Sequence, residues 1–581
     1  MQSEWEQAAM PTIEEPDEFY NAIDRSHLVK DLTPDRAYIY VTMEVYDKMN
    51  GIKGGGGLGI LAADTRRVAQ DLEIPFVTLT PFYPLEVHQR TVDLAQEEYR
   101  EAVSPEEFGF ERVGDVTVRT SEHPDTKLDI YQKILGSTRF LTMTEPNFGE
   151  LYQGDGSGDH RLYQEMSLGF GGYKALHLVG IKPAVIQLNE TATIFAAIAR
   201  LDELCNSGMN IYEAIVYVRK HTLYTNHTLL QAAEGSFSYD QFERIIMPNI
   251  ESSSLRQWLK RQFEGVERLQ LSALAIELAE AKTGVSKLHA RVADFHDRNG
   301  DKVKFSSVTN GIHMHTWVHP EIMQFFGDHG ILDRFGLPTD DFVAKLDTIT
   351  AADIKRLKSV GRVEMNQHLA VRKDQYGVAL SIPDDAFVYH FKRRFVDYKR
   401  PYLPFERPDE LKSILTEYNA HYILAGKVHT GDAKMYDHLK QVLQLIDADP
   451  VFKQRVHYIQ DYDEQVGRAL AIGGNSAINV PIVGLEACGT SWEKDIANLG
   501  LLISTNDGGV ADVQPLPCLE VSGSTYEAEV DSLYAQMRLA GELSRDDEAM
   551  REAVIKQLAG YLPVISGARM LKDYLRYLFN K

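Results

Sequence analysis

Cysteine and long apolar runs are what this sequence of 581 residues most lacks. The cysteines Cys205, Cys488 and Cys518 are too few and too scattered for a disulfide framework, and no CxxC pair indicates a zinc site. No apolar run approaches the length that crosses a membrane. The acidic segment 1–19 lacks the basic and apolar regions of a signal peptide. We therefore expect a cytoplasmic protein.

Positive charge is also scarce, because 61 Lys and Arg residues stand against 84 Asp and Glu residues, for a net charge of −23. Nucleic acids and anionic membranes require a basic surface, so neither is expected as the main partner. Any phosphate must be held by a local basic cluster. A hydrophobic content of 44% suffices for burial, and the length predicts two or more domains.

A strand, glycine loop, helix and strand follow one another early in the chain. The glycine run Gly54–Gly59 separates a predicted strand at 38–43 from helical spacing over 58–72, and a further strand is predicted at 76–79. Glycine at a helix entrance lets the backbone approach a phosphate or a sugar closely. A flexible loop is an equally good interpretation of the run. Residues 90–150 are predicted to be an α+β elaboration.

Polar residues also follow a second apolar strand, predicted at 184–188, which ends in Asn189 and Glu190. In doubly wound sheets the carboxyl ends of the strands bind ligands. His227 lies after another strand, where a structural role is as plausible as a ligand role. The pair His313 and His315 has no evident third ligand nearby, so no metal is expected.

A basic segment follows the strand predicted at 386–391. Residues 392–400 contain five Lys and Arg residues directly after a buried strand in an otherwise acidic chain. This position favours an anion site over a solvated surface. The preceding stretch, 320–385, is charged and helical in pattern and is predicted to bridge two domains.

The segment Gly484–Lys494 lies between short strands predicted at 476–480 and 501–503. It therefore forms a strand-to-helix turn, whose backbone N–H groups suit an anion. We expect Glu486 and Lys494 at the rim of a cleft. One lysine near a glycine is, taken alone, usually solvated.

These motifs together resemble the α-glucan phosphorylases, the family of glycogen and maltodextrin phosphorylase. Residues 486–490 and Lys494 match the family's Glu-Ala-Ser-Gly-Thr and cofactor lysine in type and spacing, with Cys488 replacing serine. Residues 56–59 match the family's glycine loop, and residues 393–400 match its basic pair and Tyr-Lys-Arg. The resemblance keeps the same order from about residue 38 to about residue 512.

The resemblance implies an α/β fold of the GT-B type, in which two Rossmann-like domains face a central cleft. The implied divisions are an N-terminal domain at 1–318, a C-terminal domain at 319–560, and a helix at 561–581 that crosses back to the first domain. The implied activity is phosphorolysis of α-1,4-glucan to α-glucose 1-phosphate with retention. The partners would be glucan and inorganic phosphate or a sugar 1-phosphate, and a homodimer is compatible with the family.

The resemblance also implies roles for individual residues, with pyridoxal 5'-phosphate held on Lys494. The catalytic residues would be Arg394, Tyr398, Lys399 and Glu486. The cofactor-binding residues would be Gly57, Arg393, Tyr462, Gly489, Thr490 and Lys494. The substrate-binding residues would be Gly56, Leu58, Asn189, Ala192, His227, Thr283 and Cys488.

Several positions depart from the family pattern and keep alternatives open. Ala192 and Thr283 stand where the family has the histidine and asparagine that hold the 6-hydroxyl of glucose, so the donor sugar could differ at carbon 6. Glu493 stands where methionine is usual, and Asp495 adds charge beside Lys494, so a noncatalytic glucan-binding relative is a second alternative. A nucleotide-sugar transferase of the same architecture is the third, although Lys494 argues against it.

Overall fold

The computed structural model describes residues 32–48, 52, 56–151, 156–228, 235–296, 301–429 and 431–579. Gly54 and Gly55 of the predicted glycine loop lie outside the described residues. The strands are β1 (Arg36–Thr42), β2 (Phe76–Pro81), β3 (Leu85–Val92), β4 (Ala95–Ala102), β5 (Glu111–Val118), β6 (Thr126–Leu135), β7 (Thr138–Thr144), β8 (Lys182–Asn189), β9 (Thr222–Asn226), β10 (Ser236–Ser238), β11 (Arg268–Gln270), β12 (Ala281–Gly284), β13 (Ser306–Ser307), β14 (Phe387–Lys392), β15 (Ala420–Ala425), β16 (Val456–Ile459), β17 (Ser476–Asn479), β18 (Leu501–Thr505) and β19 (Leu519–Val521).

The α-helices lie between these strands and at the C-terminal end of the described chain. They are α1 (Gly57–Asp71), α2 (Asp159–Met166), α3 (Gly172–Leu178), α4 (Phe195–Asn206), α5 (Ile211–Lys220), α6 (Tyr239–Gln241), α7 (Ser253–Gln262), α8 (Leu271–Leu278), α9 (Lys287–Val292), α10 (Met314–Trp317), α11 (Pro320–Asp328), α12 (Phe342–Leu346), α13 (Ala351–Val371), α14 (Pro408–Glu417), α15 (Ala433–Ala448), α16 (Pro450–Arg455), α17 (Glu464–Gly473), α18 (Ser491–Ala497), α19 (Tyr526–Leu543), α20 (Asp547–Ile565) and α21 (Gly567–Phe579). Within the described ranges no helix is long and apolar enough to span a bilayer.

The first sheet has nine strands in the order β13-β12-β9-β8-β1-β2-β7-β6-β5. Its strands are parallel from β13 to β7, and β6 and β5 continue the edge in antiparallel pairing. The strand order reverses between β1 and β8, where Ile39 pairs with Ile186. Such a reversal opens a crevice at the carboxyl ends of the two strands.

The second sheet has six parallel strands in the order β16-β15-β14-β17-β18-β19. Numbered along the chain, this order is 3-2-1-4-5-6, the order of doubly wound nucleotide-binding sheets. Every residue of β14, Phe387–Lys392, is buried. A strand that is covered on both faces carries a continuous apolar run rather than an alternating one. The crevice of this sheet lies between β14 and β17.

Each sheet has apolar clusters on both of its faces. In β1, Ile39 and Val41 belong to one cluster, whereas Tyr38 and Tyr40 belong to another that also contains Leu571 of α21. Alternate residues of a strand point to opposite faces, so β1 is covered twice. The C-terminal helix α21 therefore packs against elements of the first sheet.

The expected mixed α/β fold with parallel sheets is confirmed. The predicted α+β elaboration at 90–150 is wrong, because β3 to β7 occupy it and its helical pieces are short 3₁₀ turns such as Pro105–Phe108. The β3–β4 hairpin leaves the first sheet, and its polar alternating sequence gives no continuous apolar run for prediction.

Candidate active site

The basic segment leaves the second sheet at its strand-order reversal. Strand β14 pairs in parallel with β15 on one side and β17 on the other. The carboxyl ends of β14 and β17 therefore lie side by side, followed by segments 393–400 and 480–490 respectively. The backbone N–H of Ile482 donates to the carbonyl of Tyr398 at 2.7 Å, so the two segments touch.

Two cations of this segment meet one carboxylate. Arg393 Nη1 and Lys399 Nζ each lie 3.4 Å from Oε2 of Glu486. Burial lowers the pKa of Lys399 to about 8, while Glu486 acts in the opposite direction. Arg393 Nη2 has no hydrogen-bond partner among the described residues although it is buried. Two positive charges on one carboxylate leave an excess that suits an anion.

Tyr398 and Arg394 belong to the same charged group. Burial raises the pKa of Tyr398, and the Glu486 carboxylate raises it further, so its hydroxyl stays protonated. The charge of Arg394 lowers the pKa values of both Tyr398 and Lys399 and therefore lies close to both. The structure thus brings the other three residues predicted to be catalytic, Arg394, Tyr398 and Lys399, close to Glu486.

The loop 486–490 is held from both sheets. The backbone N–H of Glu486 donates to Asp507 Oδ2 at 3.0 Å. Ser286 Oγ donates to the carbonyl of Ala487 at 2.7 Å, and Asn310 Nδ2 donates to the carbonyl of Cys488 at 2.9 Å. These side chains cover the loop, so the expectation of a rim position for Glu486 and Lys494 is wrong. Glu486 is 8% exposed and Lys494 is 5% exposed.

Lys494 lies in α18, the helix that follows Gly489 and the N-cap residue Thr490. Its Nζ lies 3.4 Å from the ring centroid of Trp317. Trp317 Nε1 in turn donates to the carboxylate of Asp64 at 2.9 and 2.7 Å. Burial lowers the pKa of Lys494 to about 8, against the charge of Asp64. A desolvated lysine of this kind is suited to attack a carbonyl group.

Behind Lys494 lies a buried ion cluster that the sequence did not reveal. Lys392 Nζ contacts Asp495 Oδ2 at 2.5 Å, and His390 Nε2 lies 3.0 Å from Asp495 Oδ1. Burial by itself raises the pKa of Asp495, but Lys392 and His390 lower it to about 2. Asp495 was expected to add charge beside Lys494, and instead Lys392 neutralises it. Tyr462, expected near the cofactor, donates its hydroxyl to the carbonyl of Lys392 at 3.0 Å.

Glu493 is buried in a different way. It is fully buried, and neither carboxyl oxygen has a hydrogen-bond partner in the part of the chain that the structure describes. Burial raises the pKa of its carboxyl well above the ordinary value, while Arg569 and Lys494 act in the opposite direction. The folded chain therefore favours the protonated form of this acid more than water does. Burial also raises the pKa of the Cys488 thiol, and the charge of Glu493 adds to that shift.

The predicted substrate residues of the first sheet satisfy one another. His227 Nε2 lies 2.5 Å from Asn189 Oδ1, and the His227 backbone N–H donates to Glu190 Oε1 at 2.5 Å. Burial lowers the pKa of His227 to about 3, so the ring is neutral. Because an amide oxygen only accepts, His227 donates from Nε2. His227 thus has a structural partner, Asn189, which is one of the two roles that the sequence allowed.

Thr283 and Ala192 are the two positions at which the sequence departs from the family's 6-hydroxyl contacts. Thr283 Oγ1 lies 3.1 Å from Thr225 Oγ1 and is fully buried in the sheet. Ala192 lies in the apolar cluster around Ile194 and Phe195. Its side chain has no polar atom, and the Thr283 hydroxyl already has a partner.

The glycine residues at the start of α1 differ in their surroundings. A Cβ on Gly56 would lie 3.0 Å from Glu44 Oε2, so a side chain there forces the carboxylate to move. A Cβ on Gly57 would have nothing within 4 Å, and Gly57 is exposed while Leu58 is partly buried. Gly56 thus lies close to a carboxylate, and the expected approach of this loop to a phosphate or a sugar stays a prediction.

The donor groups of this site fit a phosphate ester that carries a carbonyl. The buried amine of Lys494 could hold the carbonyl, and the unpartnered Arg393 Nη2 and the Lys399 ammonium could hold phosphate oxygens. These groups lie on segments that leave the same crevice of the second sheet. The arrangement therefore has the chemistry that pyridoxal phosphate requires.

Comparison with known proteins agrees with this chemistry. The chain is 28% identical over 517 residues to the maltodextrin phosphorylase of Thermococcus litoralis, covering 81% of this chain and 60% of the relative. It is 26% identical over 602 residues to the glycogen phosphorylase of Mycobacterium tuberculosis, covering 90% and 68%. It is 25% identical over 590 residues to the glycogen phosphorylase of Aquifex aeolicus, covering 90% and 83%.

The chain thus spans less than two thirds of the length of the Thermococcus litoralis relative. A family profile described as carbohydrate phosphorylase matches residues 180–559, which is more than half of the chain. The match includes β14, the basic segment and the loop that carries Glu486 and Lys494. The chain therefore belongs to the carbohydrate phosphorylase family.

Proposed function

We propose that this protein is a pyridoxal phosphate-dependent glucan phosphorylase. It transfers a glycosyl unit from the end of an α-1,4-glucan to inorganic phosphate and releases α-glucose 1-phosphate with retention. The convergence of Arg393 and Lys399 on Glu486, within a chain of this family, is the observation that carries the proposal. The relatives named as glycogen and maltodextrin phosphorylases support glucan as the substrate.

The proposed architecture is the GT-B arrangement, with the two sheets opening toward a common cleft. The proposed domains are 1–318 and 319–560, with the segment 561–581 returning to the first. The packing of α21 with β1 in one apolar cluster supports the return. The hydrogen bonds from Ser286 and Asn310 to the 486–490 loop support a site that both domains build.

Pyridoxal phosphate, when bound, supplies a phosphate group that gives and takes a proton beside the substrate phosphate. Lys494 holds the cofactor through Nζ. Lys399, with a pKa of about 8, is largely protonated at neutral pH. Together with Arg394 it would neutralise the negative charges of the cofactor phosphate and the substrate phosphate. Glu486 positions Lys399 through Oε2 and accepts from a sugar hydroxyl. The transition state resembles an oxocarbenium ion, which a closely held phosphate stabilises.

A phosphorylase whose donor sugar is altered at carbon 6 is the second candidate. It is favoured by Thr283, whose hydroxyl is engaged by Thr225, and by the apolar surroundings of Ala192. A noncatalytic relative is less favoured, since Lys392 pairs with Asp495 and burial favours the protonated form of Glu493.

Phosphorolysis by the protein loaded with pyridoxal phosphate tests the proposal. Replacing Lys399 with alanine should lower turnover by about 10²- to 10³-fold, because one group that stabilises transition-state charge is lost. Borohydride reduction and peptide mass mapping should still find the cofactor on Lys494 in this variant. Lys434→Ala serves as a control, since this exposed lysine pairs with Asp397 at the surface. Normal turnover in Lys399→Ala, or an unmodified Lys494 in the wild type, contradicts the proposal.

A further inference from the structure

The β3–β4 hairpin lies between strands of the first sheet in the sequence, and it contacts the edge of the second sheet. Gln96 Nε2 donates to the carbonyl of Val428 at 3.1 Å, and the Val428 N–H donates to Gln96 Oε1 at 3.0 Å. Gln89 Nε2 donates to the Tyr458 hydroxyl at 2.7 Å, and Lys427 Nζ donates to the carbonyl of Val87 at 3.1 Å. The hairpin therefore bridges the two sheets.

One face of this hairpin collects carboxylates around a histidine. Glu86 lies directly opposite Glu101 in the antiparallel register, and His88 lies directly opposite Tyr99. Side chains two residues apart on a strand share a face, so Glu86, His88 and Glu101 point to the same side. Like charges directly opposite each other destabilise a hairpin. A positive charge between the two glutamates would relieve this repulsion.

His88 contacts Asp461 through one ring nitrogen and faces the two glutamates with the other. His88 Nδ1 lies 3.0 Å from Asp461 Oδ2. Asp461 Oδ1 also pairs with Lys427 Nζ at 3.1 Å. A carboxylate only accepts hydrogen bonds, so Nδ1 carries the proton. The other ring nitrogen, Nε2, faces the two glutamates and is the atom that can bind a metal ion.

The contacts of Nε2 do not have hydrogen-bond geometry. Nε2 is buried, lies 3.4 Å from Glu86 Oε2 and 3.3 Å from Glu101 Oε2, and makes no hydrogen bond within the described chain. An N–H donor is usually 2.7 to 3.2 Å from its acceptor, so both distances are long, by about 0.1 Å or more. Both distances instead match the spacing between two ligand atoms of one metal ion. A tetrahedral zinc ion with ligand distances of about 2.0 to 2.1 Å separates neighbouring ligand atoms by about 3.3 Å.

We propose that Glu86, His88 and Glu101 form a binding site for a divalent cation of the zinc class. The ligand atoms of all three residues lie within 4.8 Å of one another. Asp461 is the carboxylate behind the ligating histidine, an arrangement that fixes the tautomer and the ring orientation in metal sites. The fourth position is left for water. The bound ion joins the two strands of the hairpin and, through Asp461, fastens the hairpin to the second sheet.

Titration of the chelator-treated full-length chain with Zn²⁺ tests the site. The wild type should bind one ion saturably, and Zn²⁺ should raise its midpoint of thermal unfolding. Glu101→Gln should weaken binding by at least about 10-fold, and Asp461→Asn, acting on the orientation of His88, should weaken it by about 10- to 100-fold. Glu101 is 65% exposed, so its replacement does not threaten the fold.

Glu97→Gln is the matched control, because Glu97 lies on the same hairpin and pairs with the exposed Arg90. It should bind Zn²⁺ as tightly as the wild type. If the wild type shows no saturable binding, the proposal fails. Equal affinities of Glu101→Gln and Glu97→Gln would overturn it as well, since any Zn²⁺ bound then lies elsewhere.

Discussion

At the scale of single residues, Glu493 is the group most at odds with its surroundings. Its carboxyl is fully buried, without a hydrogen-bond partner in the described ranges. Leaving a buried polar group unsatisfied costs about 1 to 3 kcal/mol. Burial also raises the pKa of this carboxyl in the folded chain. The folded state therefore holds the proton more tightly than the unfolded chain does.

Replacing Glu493 with methionine should stabilise the protein, and more so at pH 8 than at pH 5. The stability contributed by the protonated acid is fully present below the unfolded pKa of about 4.3 and is lost as the pH rises toward the folded pKa. The methionine variant loses this dependence. Denaturant unfolding at the two pH values checks it, with Glu552→Met in the exposed part of α20 as the control. An equal change at both pH values would show that the pKa of this carboxyl is not raised in the folded chain.

Ala192 and Thr283 lead to a prediction about the donor sugar. A site built around a hydroxyl can reject an analogue that lacks it by about 10⁴-fold or more, whereas a site without such partners discriminates by about 10- to 200-fold. We expect glucose 1-phosphate and xylose 1-phosphate to differ by no more than the smaller range in synthesis on a maltooligosaccharide. A preference for glucose 1-phosphate above about 10³-fold would contradict this prediction.

Thr283→Val is the informative variant for that assay. It removes the hydroxyl and keeps the shape of the side chain. Because Thr283 Oγ1 is engaged by Thr225, the relative rates for the two sugars should not change. A change in the ratio would mean that this hydroxyl contacts the donor.

At the scale of elements, the buried parallel strands were predictable, and the hairpin between them was not. Strand β14 is buried at every position and is apolar apart from His390 and Lys392, as expected of a strand that is covered on both faces. Strands β3 and β4 carry polar or charged residues at most positions and form outside the main sheet. Their stability comes from distant partners such as Tyr458 and Val428, which no local pattern reports.

The parts of the candidate site also differ in how far the sequence predicts them. The basic segment and the Glu486 loop were predictable, because each follows a recognisable strand. The cluster of Lys392, Asp495 and His390 was not, since it forms across 103 and 105 residues of sequence. The carboxylates around His88 likewise become neighbours through the register of the hairpin. Spacing along the chain reports helix and strand faces, but not which faces meet.

At the scale of the whole molecule, buried charges link the two sheets. Arg67 of α1 contacts Asp47 Oδ1 at 2.8 Å, Asp64 Oδ1 at 3.1 Å and Glu464 Oε1 at 3.0 Å. Glu464 opens α17 in the second sheet's part of the chain. All four residues are buried. Removing one partner of a buried ion network costs about 3 to 5 kcal/mol, because the remaining charges lose their compensation.

Arg67→Met should therefore weaken both parts of the molecule together. We expect a lower midpoint of thermal unfolding and faster hydrogen exchange in both α1 and α17, with Arg90→Met at the exposed Arg90–Glu97 pair as the control. Without Arg67 the three carboxylates raise one another's pKa values, so the loss should be largest at high pH and shrink as the pH falls and they take up protons. Faster exchange confined to α1 would mean that Arg67 stabilises only the first sheet's part of the chain, and that other contacts, such as those of the β3–β4 hairpin, hold the two parts together.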